Sequence, residues 1–289
     1  MVHLKNDFLE VAIDTKGAEV KKIYHRPFQL DYLWNGDAAY WNRTAPILFP
    51  IVGKVKDNTY TYKDQPYHLT QHGFARDKEF ILESSTATEA VFSLSSNPET
   101  LTVYPFEFKL YLTYTLSESS LTVGYKVMQV GESELLFSIG AHPAFLCPLE
   151  PGLSFEDYQL TFEKEENVER LLLGPSGVSK KTEKVFKPGS KIIPLNYDLF
   201  ETKDAIIFKS LNSTSMTLSS TKASHGLHFN FAGFPYMGIW TKPGPFLCIE
   251  PWFGIADAED VDGKLEHKEG IIRLTAGEVF QAAYSMDFF

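Results

Sequence analysis

Two histidines and a glutamate stand in three short patches: Gln71-His72-Gly73-Phe74-Ala75-Arg76, Gly140-Ala141-His142-Pro143-Ala144-Phe145 and Cys248-Ile249-Glu250-Pro251-Trp252. Each sets a proton-handling side chain beside glycine or proline, where a strand ends and a pocket can open. Two imidazoles and one carboxylate are sufficient for paired general acid and general base chemistry.

The run Leu135 to Ala141 alternates. Leu135, Phe137, Ile139 and Ala141 point one way; Leu136, Ser138, Gly140 and then His142 point the other. That second face shrinks toward its end and leaves space above it, and Pro143 marks the exit from the strand. His142 is placed to touch a ligand, or alternatively to hydrogen-bond a neighbouring loop. Phe246 to Ile249 is apolar on both faces, as in a fully buried strand. Glu250 at its end is costly to bury unpaired, so it has either a structural partner or a task, and burial would make it a stronger base. His72 precedes Gly73, which tolerates a left-handed turn. Arg76 offers a planar fork to carboxylate or phosphate, or else is a surface charge paired with Asp77 or Glu79.

The elements that must position these residues are strands. Phe108 to Leu116 and Leu121 to Val127 alternate on either side of Ser117-Glu118-Ser119-Ser120 and read as an antiparallel hairpin. Tyr60-Thr61-Tyr62 and Tyr67-His68-Leu69 read as a second hairpin. Further strands are expected over 8–13, 19–24, 80–82, 90–94, 158–162, 205–208, 216–218, 227–231, 246–250 and 279–286. Turn signals about every ten residues indicate a sandwich rather than a βαβ series. Asn97-Pro98-Glu99 opens a short helix that stops before Pro105. Residues 173–194, rich in Gly, Ser, Lys and Pro, read as a long excursion. One domain over 1–289 is expected.

An apolar share of 44% supports a sizeable core, and 23 Phe with 14 Tyr favour pleated surfaces. A net charge of −10 argues against nucleic acid and anionic membranes as partners. The first seven residues lack the apolar centre of a signal peptide, and no apolar run is long enough to span a bilayer. Two cysteines, Cys147 and Cys248, do not make a disulfide framework, so a cytoplasmic location is expected.

At these residues the chain resembles the aldose 1-epimerase (galactose mutarotase-like) family, and within it the LacX-type branch. The likeness runs from about Leu9 to the C-terminus. It is carried by Ala45 to Gly53, Gln71 to Arg76, Ala141 to Phe145, Met237 to Trp240 and Cys248 to Trp252. The resemblance implies an all-β fold, a large twisted antiparallel sandwich with few short helices, binding sugar on a concave sheet face. It implies His142 as acid, Glu250 as base and His72 as the histidine that stabilises the transition state. It also implies Asp204 as a holder of sugar hydroxyls, with Asp198 as a rival. Trp240 and Trp252 are candidates to cover the sugar's C–H face, with core packing as the alternative for each.

Two departures stand out. Galactose mutarotases carry a sugar-binding arginine shortly after a Gly-Arg pair, whereas this chain reads Gly53-Lys54-Val55-Lys56, leaving Lys54 as the available charge. The patch His72 to Arg76 also resembles hexose-6-phosphate mutarotases, in which an arginine holds phosphate. The implied partner is therefore a small aldose, free or phosphorylated, acted on by a monomer or homodimer. Glu250 would take the C1 hydroxyl proton while His142, its pKa raised by a neighbouring carboxylate, protonates the ring oxygen. The open chain then rotates and recloses. Only protons move, so no cofactor is expected.

A catalytic metal is not expected. His68 and His72 have the spacing of a helical zinc pair, but the hairpin and Gly73 argue against a helix. Asp260, Asp262, Gly263, Leu265 and Glu269 fit part of a calcium loop, but Ala258 at its first position cannot ligate. The rival readings are a sugar-binding sensor on the same scaffold and a glycoside hydrolase, which needs a second catalytic carboxylate.

Overall fold

The computed structural model describes residues 1–175 and 177–289; Ser176, inside the excursion expected over 173–194, lies outside them. Strict alternation produces the longest hairpin, Phe108–Ser117 with Ser120–Gln129, paired from Phe108↔Gln129 to Ser117↔Ser120. Leu110, Leu112, Leu116, Leu121, Val123 and Val127 are buried along one face. Glu118 takes a positive φ of 50° in the connecting turn.

This hairpin lies within a nine-stranded sheet that also holds Tyr158–Phe162, Ser215–Ser220, Leu227–Asn230 and Val279–Phe288. An eight-stranded sheet is built around Tyr236–Trp240 and Phe246–Phe253. A four-stranded sheet forms from residues 2–31. Strand pairs within the sheets are antiparallel, as the turn-rich sequence requires. The two large sheets share one core: Leu112, Val123 and Phe229 from the first join Phe145, Ile239, Leu247 and Ile249 from the second. This is the all-β antiparallel sandwich expected.

The short helix is Pro98–Val103. Asn97 Oδ1 accepts from Thr100 N–H at 2.9 Å, and Thr100 Oγ1 accepts from Asn97 N–H at 2.9 Å. Such a cap contributes about 1 kcal/mol. No described helix is long and apolar enough to cross a membrane.

Three expectations need correction. The run 135–141 is two strands, not one. Leu135–Phe137 pairs with Ile272–Leu274, while Ile139–Ala141 pairs with Phe246–Phe253 and Ile47–Leu48. The chain changes partner at Ser138, whose N–H donates to Pro50 O at 2.7 Å. The strand expected to end at Glu250 runs on to Phe253, because Tyr236 on one side and Ile139 with Gly140 on the other still pair with it beyond Pro251. The excursion over 173–194 contains strands: Gly177–Glu183 pairs with Arg170–Gly174, and Ile192–Pro194 pairs with Tyr158–Phe162.

The remaining motifs have local explanations. His68 ends a strand and His72 lies in the following loop, so their spacing is not helical. The calcium-like carboxylates pair separately: Asp260 with Lys180, Asp262 with His267 and Glu269 with Lys209.

Candidate active site

Strand register brings His142 to Glu250. Gly140 lies opposite Trp252 and Ala144 opposite Cys248. His142, midway between them, therefore faces Glu250 across the break between Ile139–Ala141 and Ala144–Leu146. His142 Nε2 lies 3.3 Å from Glu250 Oε2. Alternation along Phe246–Phe253 separates tasks. Leu247 and Ile249 enter the main core, while Phe246, Cys248, Glu250 and Trp252 share the other face. On the neighbouring strand Gly238 lies opposite Glu250.

The small-residue face below His142 is not open space. Trp252 fills it: a Cβ on Gly140 would sit 2.6 Å from its ring, and one on Gly238 would sit 2.4 Å from it. Trp252 is 6% exposed, and its indole N–H donates to Ala141 O at 3.2 Å. The ring is committed to the floor of the site rather than offered to a ligand.

Glu250 is 1% exposed. Its Oε2 and His142 Nδ1 are buried atoms without a hydrogen-bond partner among the described residues. Burial, and then the Asp204 carboxylate, push the Glu250 pKa well above the carboxylate range. The Trp252 N–H, bonded chiefly to Ala141 O, opposes this only weakly. Burial pushes His142 down to about 3, and the positive charges of Arg76 and Arg43 add to the shift. The expectation that a carboxylate raises His142 is therefore corrected. In so dry a site, charge separation costs more than the close contact returns, and the neutral forms of both groups are favoured.

His72 adopts φ 66° and turns its ring inward. Its Nδ1 accepts from Gly53 N–H at 3.1 Å, which leaves the ring hydrogen on Nε2. Burial and the nearby cations hold its pKa well below the usual value, so it is a neutral donor. The loop is held close. Gly73 has φ 68°, and a Cβ there would lie 2.4 Å from Phe49 O, so only glycine fits. The rings of His72 and His142 meet edge to face with centroids 5.8 Å apart.

Arg76 is not a free surface charge. Its guanidinium donates to Gln71 O at 2.7 Å, and its buried Nε has no hydrogen-bond partner among the described residues. Asp77 bonds Arg43 at 2.6 Å and lies 3.8 Å from Arg76 Nε. Lys54 is exposed but close enough to add to the positive field on His72. Asp204 accepts from Trp240 Nε1 at 2.6 Å and holds a left-handed φ of 57°. Trp240 stands edge-on to His142, with centroids 5.7 Å apart. The rival Asp198 opens the short helix Asp198–Glu201. A cavity of about 480 Å³, lined by Asp204, Trp240, Tyr197 and Lys242, opens beside the pair but does not contain it.

Sequence reasoning missed Trp41 and Arg43. Trp41 stacks on His142 with centroids 4.8 Å apart and planes 26° apart, and so covers the pair. The signal was present in Tyr40-Trp41-Asn42-Arg43, immediately before the Ala45 to Gly53 motif, as an aromatic and cationic cluster leading into a loop.

Known proteins share this sequence and fold. The family model for aldose 1-epimerase matches residues 1–268. The plasmid-encoded protein LacX of Lactococcus lactis subsp. lactis is 34% identical over 99% of this chain and 98% of its own length. Two solved structures superpose with a TM-score of 0.93. A galactose mutarotase related enzyme from Lactobacillus acidophilus is 33% identical over 100% of this chain and 97% of its own. A galactose mutarotase-like protein from Lactobacillus casei is 32% identical over the full length of both chains. With its fold, its length and its sequence all matched, the chain belongs to the aldose 1-epimerase family.

Proposed function

We propose that this protein interconverts the α and β anomers of a hexose, with Glu250 and His142 moving the two protons. The observation that carries this reading is the contact between partly buried His142 and fully buried Glu250, 3.3 Å apart, beneath Trp41. Ring opening needs a proton removed from the C1 hydroxyl and one delivered to the ring oxygen. A proton shift from Glu250 to His142 across their 3.3 Å contact gives the carboxylate that takes the first and the imidazolium that gives the second. The pair then holds a neutral carboxylic acid and a neutral imidazole while the open chain rotates about C1–C2. Closure on the other face returns both protons.

The pKa shifts fit this cycle. A raised carboxylate is a stronger base, and a depressed imidazolium is a stronger acid, so both favour ring opening. The proton arrangement that burial prefers is the one that accompanies the open chain. The neutral His72 Nε2–H is a donor for the developing charge on the sugar oxygens, and Asp204 holds a hydroxyl.

A second observation bears on the substrate. Arg43 and Arg76 both press on His142, and Lys54 joins them at His72. Asp77 bonds Arg43 and approaches Arg76, and Glu19 adds a more distant negative charge at Arg76. This positive rim favours a hexose bearing an anionic group, such as a 6-phosphate, over a neutral sugar.

Polarimetry on freshly dissolved α-glucose and α-galactose, and anomer-resolved NMR on the 6-phosphates, test both points. Glu250→Gln and His142→Asn should each slow interconversion by roughly 10²–10⁴-fold with the fold intact. Near-normal turnover in folded Glu250→Gln would remove Glu250 as the base. Arg43→Gln and Arg76→Gln should raise KM for a phosphorylated hexose at least tenfold and leave a neutral hexose nearly unaffected. Equal effects on both substrates would rule out the phosphate preference.

A further inference from the structure

Cys248 stands two residues before Glu250 on the same face of the 246–253 strand, and so beside the proton pair. Its sulfur, a His142 ring nitrogen and a Glu250 carboxylate oxygen all lie within 4.8 Å of one another. Glu250 is 1% exposed, and its Oε2, without a hydrogen-bond partner among the described residues, is the oxygen nearest His142 Nε2. Proton transfer between imidazole and carboxyl does not use the thiol.

Sulfur, imidazole nitrogen and carboxylate oxygen are the donors that zinc selects, at bond lengths of about 2.0–2.3 Å. A tetrahedral centre with such bonds keeps its donors roughly 3.3–3.6 Å apart. The His142–Glu250 separation of 3.3 Å already meets this. The widest separation in the trio has to close by roughly 1 Å. Three protein ligands leave the fourth position to water, as in open zinc sites.

We propose that a thiophilic divalent cation, Zn²⁺ or Cd²⁺, binds His142, Cys248 and Glu250 and blocks the site. The metal–sulfur and metal–oxygen bonds form as the Cys248 thiol proton and the Glu250 carboxyl proton both pass to solvent, while neutral His142 binds without losing one. The metal occupies the nitrogen and the oxygen that otherwise exchange protons with the substrate. The cation is an inhibitor, not a cofactor. Its binding is independent of the reading under Proposed function; only the loss of turnover rests on it.

The test is a Cd²⁺ titration of chelator-treated protein, followed by the ultraviolet absorption of the cadmium–thiolate bond. Wild type and Cys147→Ser should saturate at one equivalent. Cys248→Ser should lose the band, and Glu250→Gln and His142→Ala should each bind at least tenfold more weakly. The last two keep the sulfur, so they decide the matter even if Cys248→Ser does not fold. A missing band in wild type, a band lost in Cys147→Ser, or unchanged affinity in Glu250→Gln and His142→Ala overturns the site. Zn²⁺ should also stop anomer interconversion, with full recovery on adding chelator. Metal binding without inhibition would overturn the blocking role. A protein that binds cadmium yet has no activity on any hexose would overturn the function reading and leave the metal site standing.

Discussion

Glu19 and Glu250 are 5% and 1% exposed, and their surroundings differ completely. Glu19 Oε1 accepts from Thr44 N–H, Thr44 Oγ1–H and Ala45 N–H at 2.7, 2.9 and 3.1 Å, and Oε2 meets Lys21 Nζ at 2.7 Å. Burial pushes its pKa up, but the bonds from Lys21, Thr44 and Ala45 together pull it below the ordinary value. Glu250 faces a histidine that is itself desolvated and gains only weak support from the Trp252 N–H, and its pKa rises. Burial therefore does not by itself make a base. A base results when burial is left uncompensated, and the fold compensates one glutamate while withholding partners from the other. The two are linked in space, since Glu19 anchors Thr44 and Ala45, the segment that follows Trp41 and Arg43.

The largest test of this contrast exchanges stability against activity. Glu19→Ala leaves the buried Thr44 amide and the part-buried Ala45 amide without their acceptor and should cost about 2–4 kcal/mol in denaturant unfolding. Glu250→Gln removes an uncompensated buried acid and should unfold no more easily than wild type while losing turnover. If Glu250→Gln were the less stable of the two, the contrast would be wrong.

The pH dependence should carry opposite signs. Glu19 is lowered in the folded state, so its contribution is present above the unfolded value of about 4.3 and lost as pH falls through its folded value. Glu250 is raised, so its contribution is present below about 4.3 and lost as pH rises toward its folded value. Measured from pH 3 to 8, the Glu19→Ala deficit should shrink toward acid, and Glu250→Gln should gain on wild type toward neutral. His142 adds an acid-side effect. Its stability is present above about 6.5 and is lost as pH falls toward about 3, because the unfolded chain takes up a proton that the folded site refuses. His142→Asn should flatten that slope. Parallel curves for all three variants and wild type would contradict the assigned directions.

The smallest effect concerns the cover. Trp41→Ala removes a ring stack worth about 0.5–1.5 kcal/mol, so kcat/KM should fall up to about tenfold, with Trp41→Phe largely restoring it. No change in kcat/KM would make Trp41 a bystander.

Much of the scaffold was legible along the chain. The 108–129 hairpin, the capped helix at Asn97 and the strand Tyr158–Phe162 follow from alternation and capping within a few residues. Errors fell where a distant partner intervened. Ser138 breaks a continuous alternating run because Pro50 takes its amide, and Trp252 fills a face that looked empty because Gly140 and Gly238 leave room for it. Trp41 and Arg43 lay in a loop without periodicity, so nothing local tied them to His142.

The amino-acid order alone settled the β architecture, the helix stop and the types of group available for proton chemistry, because these depend on near neighbours and on side-chain identity. Long-range pairing decided that residue 142 faces residue 250, that Trp41 covers them, and where their proton resides. Register between remote strands, and the resulting loss of water, are properties of the folded chain; the same histidine and glutamate in a solvated loop would titrate at ordinary values.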